Sequence, residues 1–103
     1  MADLTIGMAG MGNLGGPIAE RLAEKFPVLG YDPAPADPAA TSAVTRVAAP
    51  GELARRADIV ALCLPTPEAV LATVESLAAV PPALRRTRTV VDLSTVGVPT
   101  AER

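Results

Sequence analysis

The apolar positions of this chain come in short blocks divided by proline and glycine, and the spacing inside the blocks switches repeatedly between two kinds. Leu4 to Met8 is a short apolar run, as in a parallel strand covered on both faces. Beyond it Leu14, Ile18 and Leu22, with Ala19, Ala23 and Phe26, recur every three or four positions, while Glu20, Arg21, Glu24 and Lys25 take the other side. That spacing predicts a helix with one buried stripe. Pro17 is tolerable only in a first turn, because further in it would remove a ladder bond and clash with the preceding turn. Regular helix therefore begins near Gly15, and Pro27 ends it.

Val28 to Tyr31 read as a second strand. From Pro33 to Ala43 proline and alanine dominate, which rules out a long helix and predicts a loop with at most one turn after Pro38. Val44 to Val47 make a short third strand, and Pro50 opens a short helix through Arg56. Asp58 to Leu64 is the fourth strand, uniformly apolar past Asp58. Thr66 can cap the helix that follows, Pro67 suits its first position and Glu68 favours its dipole; the helix runs to about Ala78 on the stripe Val70, Leu71, Val74 and Leu77. Pro81 and Pro82 break it. Thr89 to Leu93 form a fifth strand, and Pro99 opens a last helix with only Thr100 to Arg103 left to build it, so a fragment of a longer chain is expected.

Strands alternating with helices imply an α/β fold with a parallel sheet, and right-handed crossovers make 3-2-1-4-5 the economical strand order. Ligands of such sheets bind outside the carboxyl ends of strands 1 and 4, where the winding reverses. Gly10 to Gly12, Leu64 to Thr66 and Ser94 to Thr95 all fall at such ends. Gly10, Gly12 and Gly15 also spell G-x-G-x-x-G between a strand and a helix, the context that the dinucleotide fingerprint requires. Gly10 allows the tight turn out of the strand, Gly12 leaves room for a pyrophosphate, and Gly15 lets the helix lie close on the strand. Free N–H groups and the positive end of a helix dipole then meet the phosphates. The fingerprint's second half is an acidic residue about 20 positions on, which here is Asp32. A carboxylate there accepts both ribose hydroxyls of NAD, whereas the 2′-phosphate of NADP would face like charge, so NAD is expected over NADP. A glycine-rich structural turn, and a solvated turn carboxylate beside Pro33, are the bland alternatives.

Composition narrows the classes. The 103 residues make one domain, which buries about two thirds of its unfolded surface. Half the residues are apolar and the mean hydropathy is +0.35, yet no apolar run approaches the roughly 18 residues of a membrane span. Some of this apolar surface is expected to meet something outside the chain, and a homo-oligomer is one such partner. A net charge of −2, with nine Lys and Arg that form no run, argues against nucleic acid. Met1 leads straight into the first strand, so the cytoplasm is the expected compartment. One cysteine excludes an internal disulfide, and with no histidine a zinc site lacks its usual ligands. Cys63, inside the run Ile59 to Leu64, reads as a packing residue.

Three segments together resemble one family. Gly10-Met11-Gly12-Asn13-Leu14-Gly15-Gly16-Pro17-Ile18-Ala19 is similar to the amino-terminal signature of the β-hydroxyacid dehydrogenases, the group of the 3-hydroxyisobutyrate, tartronate semialdehyde and 6-phosphogluconate enzymes, with apolar exchanges at Met11, Leu14 and Ile18. Leu62-Cys63-Leu64-Pro65-Thr66-Pro67 resembles that family's Leu-Pro loop after strand four, and Asp92-Leu93-Ser94-Thr95 its Asp-x-Ser-Thr motif. The resemblance covers the whole chain and implies a Rossmann-type doubly wound fold, cut before an all-helical second domain that closes the site and builds a dimer. It implies that Met11, Gly12, Asn13 and Leu14 border the pyrophosphate through backbone groups, that Leu64 and Pro65 line the cofactor cleft, and that Thr95 contacts cofactor near the nicotinamide. Ser94 and Thr95 would meet the substrate; a helix cap is their structural alternative. NADP users of the family commonly carry Asn-Arg where this chain has Asp32-Pro33.

The implied activity is hydride transfer between NAD and a small β-hydroxy acid of the 3-hydroxyisobutyrate kind. The family's proton-transfer lysine lies in a Gly-rich motif beyond Arg103, so no catalytic residue is expected in these 103 residues and the chain alone is expected to be inactive. A stand-alone nucleotide-binding module without catalysis, and a relative of the imine reductases, are the competing readings.

Overall fold

The computed structural model describes residues 4–12, 15–33 and 43–93. Five parallel strands form one sheet: β1 (Ile6–Ala9), β2 (Val28–Tyr31), β3 (Thr45–Arg46), β4 (Ile59–Leu62) and β5 (Thr89–Asp92), in the order β3-β2-β1-β4-β5. This is the expected doubly wound arrangement, reversing between β1 and β4. The helices are α1 (Gly15–Leu22), α2 (Pro50–Arg56) and α3 (Pro67–Ala78), with a short 3-10 turn over Pro82–Leu84. No helix among the described residues is long and apolar enough to cross a membrane.

Alternation along the strands divides the core into two faces. Ile6, Met8, Val28, Val44 and Ala61 pack on the α1 side with Ala19, while Ala9, Leu29, Val60 and Leu62 pack with Leu53 of α2 and Leu77 of α3. Met8, Leu53, Val60 and Leu62 are the largest side chains shut off completely. Each stabilises the fold by about 1.5–3 kcal/mol on leaving water.

Where the elements depart from expectation, hydrogen bonds explain the difference. Helix α1 closes at Leu22, but Phe26 N–H still donates to the Leu22 carbonyl at 2.9 Å, so tightening turns carry the apolar stripe on to Pro27. β3 has two residues where four were expected, both exposed; Val44 and Val47 flank it as anchors, one on each face. β4 lacks Asp58 because that carboxylate binds across the sheet edge, and it lacks Leu64 because the chain turns toward Pro65. The expected stripe on α3 is rotated. Leu77 and Thr73 are buried, whereas Leu71 and Val74 are 59% and 39% exposed. With Val90, Val91 and Leu93 on and beside β5 they leave much of the apolar surface outside the core, which accounts for the high hydropathy. The segment expected as a proline-rich loop falls largely, and the last helix entirely, outside the described residues.

The amino-terminal edge of the sheet is tied by one carboxylate. Asp58 accepts the Thr5 N–H at 2.8 Å and the Arg86 Nε at 2.9 Å, joining the approaches to β1, β4 and β5. The neighbouring Thr87 hydroxyl donates to the Ala57 carbonyl at 2.6 Å, and Arg86 N–H to that of Ala54 at 2.7 Å, so the end of α2 is satisfied by the strap entering β5. The Arg86 hydrogen bond, then the Thr5 N–H, holds the Asp58 carboxyl below its ordinary value of 3.8. Folding thus lowers this pKa, and the stabilisation is complete above that ordinary value and lost as pH falls through the folded one. Asp58→Ala should lower the urea midpoint at pH 7 and shrink the difference between midpoints at pH 7 and pH 3; an unchanged acid dependence would refute the role given to Asp58.

Candidate functional site

The carboxyl ends of β1, β2 and β4 are stitched together around the glycine turn. Gly10 N–H donates to the Tyr31 carbonyl at 2.7 Å, and Cys63 N–H to the Ala9 carbonyl at 2.8 Å. Gly10 has a φ of +97°, and a Cβ there would fall onto the Cys63 carbonyl. Gly15 sits equally tight, since its Cβ would strike the Gly10 carbonyl. These two glycines allow β1, β4 and the start of α1 to meet. Gly12 is different: no described atom lies within 4 Å of where its Cβ would stand. Among the described residues that space is open.

Asp32 turns toward this turn. Its Oδ2 accepts the Met11 N–H at 2.6 Å, across 21 residues of sequence, and the side chain is half-buried. The Met11 thioether lies over Gly30, where a Cβ would come within 2.8 Å of the sulfur, so the missing side chain in β2 seats the turn from below. Beyond β2 a crevice of about 300 Å³ opens between Tyr31, Pro33 and Leu64 on one side and Ala69, Thr73 and Ser76 of α3 on the other. Thr66 starts α3 at its mouth, accepting the Ala69 N–H at 3.0 Å. Leu64 is buried in its wall and Pro65 is exposed beside it. Cys63 lies between this wall and α1; burial first, and the Asp92 charge second, push its thiol above the ordinary 9.0, so it stays protonated at neutral pH and serves packing.

An open glycine turn at the reversal of a parallel sheet, with a carboxylate drawn to it from the next strand, is the arrangement that suits a dinucleotide. Residues 5–103 match the NAD-binding domain of 6-phosphogluconate dehydrogenase. The chain belongs to that family.

Among solved structures this NAD-binding domain is similar to 3-hydroxyisobutyrate dehydrogenase of Mycobacterium tuberculosis, determined with L-serine, at 35% identity and a TM-score of 0.72 over 97% of this chain and 34% of that one. Two others share the fold at lower identity. A reductive aminase from Aspergillus terreus in complex with NADPH has 21% identity and a TM-score of 0.72 over 95% of this chain and 34% of its own. An imine reductase from Pseudomonas has 21% and 0.70 over 97% and 35%. The domain thus spans about a third of the length of each of these proteins. No curated protein matches the sequence.

Of the residues singled out in the sequence, Gly10, Met11, Gly12, Gly15, Asp32 and Leu64 come together at this end of the sheet, with Pro65 at the rim. Met11 N–H is already paired with Asp32, so this amide holds the turn in shape. Asn13, Leu14, Ser94 and Thr95 lie outside the described residues. The crevice residues on α3 escaped sequence reasoning, although Ala69, Ala72, Thr73 and Ser76 recur at helical spacing and are small or weakly polar, the signature of a helix face built for close approach. The glycines separate by mutation: Gly10→Ala should destabilise by about 1–3 kcal/mol from its backbone alone, with the carbonyl clash added, whereas Gly12→Ala should stay within about 0.5 kcal/mol. Equal losses in thermal or urea unfolding would remove the distinction.

Proposed function

We propose that this domain is the cofactor half of an oxidoreductase that moves a hydride between NAD and a small β-hydroxy acid of the 3-hydroxyisobutyrate kind. The observation that carries the reading is the Asp32 carboxylate held at 2.6 Å from the Met11 amide, beside the open space over Gly12. In that position Asp32 accepts ribose hydroxyls, and a 2′-phosphate would meet its charge. The start of α1 faces the diphosphate with its dipole. The crevice of about 300 Å³ between Tyr31 and α3 suits an adenine ring against Leu64. The nicotinamide, when bound, supplies or accepts the hydride.

Proton transfer to or from the substrate hydroxyl needs a group aligned with both reacting carbons. Lys25 does not serve, because it lies in the exposed turns past Leu22, at the far end of α1 from the glycines. The catalytic lysine therefore belongs to protein beyond these residues, and Ser94 and Thr95 are the contacts this chain offers to substrate. The similarity at 35% identity to 3-hydroxyisobutyrate dehydrogenase supports this substrate class. The exposed Leu71, Val74, Val90 and Val91 favour a homo-oligomer.

Asp32→Ala should weaken NAD binding about 10–100-fold, the worth of a charged hydrogen bond, and narrow the preference over NADP. Calorimetric titration with both cofactors checks this, and unchanged affinities would remove Asp32 from the site. The 103-residue chain by itself should turn over no 3-hydroxyisobutyrate; NADH formation above background, followed at 340 nm, would show that the proton-transfer group lies within it.

A further inference from the structure

The amino-terminal end of the sheet, opposite to the end that carries the glycine turn, holds a cavity of about 440 Å³ between the starts of β2 and β3 and the end of α2. Val28 and Thr45 line it from the strands, and Arg55, Arg56 and Arg86 from the helix end and the strap into β5. Among the described residues no carboxylate lines it. Three of the nine Lys and Arg of a chain with net charge −2 thus share one concavity. The fold does not consume all three. Arg86 is committed, since its Nε donates to Asp58 at 2.9 Å. Arg56 meets Glu52 one turn back at 3.5 Å, an exposed pair of the kind that holds its partners weakly. Arg55 makes no ion pair among the described residues. A basic residue in a last turn ordinarily serves the orphan carbonyls. Here the Ala54 carbonyl already accepts the Arg86 and Thr87 N–H groups at 2.7 and 3.2 Å, and the Ala57 carbonyl accepts the Thr87 hydroxyl at 2.6 Å.

We propose that this cavity binds a small, multiply charged anion of the phosphate-ester or diphosphate kind, held chiefly by Arg55 and Arg56. Guanidiniums around one hollow repel each other, and an anion between them removes that repulsion. Their planar donor forks match phosphate oxygens in pairs. The volume suits a small molecule. Both arginines are exposed, so added salt weakens the binding. This site is separate from the glycine turn and does not depend on the dinucleotide reading.

The test is calorimetric titration of pyrophosphate into the full-length protein, saturated beforehand with NAD so that the glycine turn is filled. The wild type should still bind pyrophosphate, and Arg55→Met should weaken that binding about tenfold or more, as loss of a charged hydrogen bond does. Adding Arg56→Met should weaken it further, whereas Arg21→Met, on α1, should leave it unchanged. Exposure of these side chains lets the variants keep the fold, and their NAD affinity should equal that of the wild type. Arg86 is left intact because it ties the sheet edge through Asp58. Pyrophosphate binding that disappears once NAD is bound assigns the anion to the glycine turn and overturns the proposal; an affinity unmoved by Arg55→Met overturns it equally. The comparison of wild type with Arg55→Met decides the matter even where NAD fails to bind, so the two readings stand or fall separately.

Discussion

Backbone meets backbone at Gly10 more closely than any side chain permits, and the carboxyl end of the sheet is arranged around that approach. With a φ of +97° and the Cys63 carbonyl where a Cβ would stand, Gly10 lets the end of β1 press against the end of β4. Gly15 repeats the condition against the Gly10 carbonyl, so the first turn of α1 drops onto the same spot. The consequence is a concave surface with Gly12 at its open centre, and the nearby Met11 amide and Asp32 carboxylate fix its shape by a bond of 2.6 Å. The backbone approach requires two of the glycines; at the third, no described residue outside its chain neighbours comes within 4 Å of where a side chain would begin.

The two ends of the sheet use charge differently. At the amino-terminal edge Asp58 satisfies a backbone amide and a guanidinium together, and the result is mechanical: three strand approaches held in register. At the carboxyl edge Asp32 also binds a backbone amide, and Arg46 donates to the Asp32 main-chain carbonyl. One carboxylate locks the sheet; the other shapes the glycine turn.

Much of this was legible in the sequence because it depends on local chemistry. Pro50 and Pro67 mark the starts of α2 and α3, Thr66 caps α3, and the blocks of β1, β2, β4 and β5 are short apolar runs whose alternation with helices dictates a parallel order. The glycine turn and Asp32 could be paired from spacing alone. What could not be read is whatever depends on which way an element rolls. The α3 stripe was placed on its largest apolar residues, yet α3 buries Thr73 and Leu77, packs Val70 against the core and presents Ala69, Ala72, Thr73 and Ser76 to the crevice, whose width the small side chains leave open. The length of β3 was overestimated for a related reason. Val44 and Val47 are apolar because they anchor the two faces of the core, and only the two residues between them join the ladder.

That two-residue strand is what gives Arg46 its position. In the observed register Arg46 is the last residue of β3, opposite Gly30, and two residues short of Asp32 along β2. An extended side chain with four rotatable bonds spans that gap, and the donor reaches the Asp32 carbonyl at 3.4 Å. Gly30 matters again here. Its missing side chain gives Met11 its seat, with Val44 packed against the same spot. The shortness of β3 and the bareness of β2 at Gly30 thus act together, one ending the strand beside the Asp32 carbonyl and the other making room for the Met11 side chain under the glycine turn.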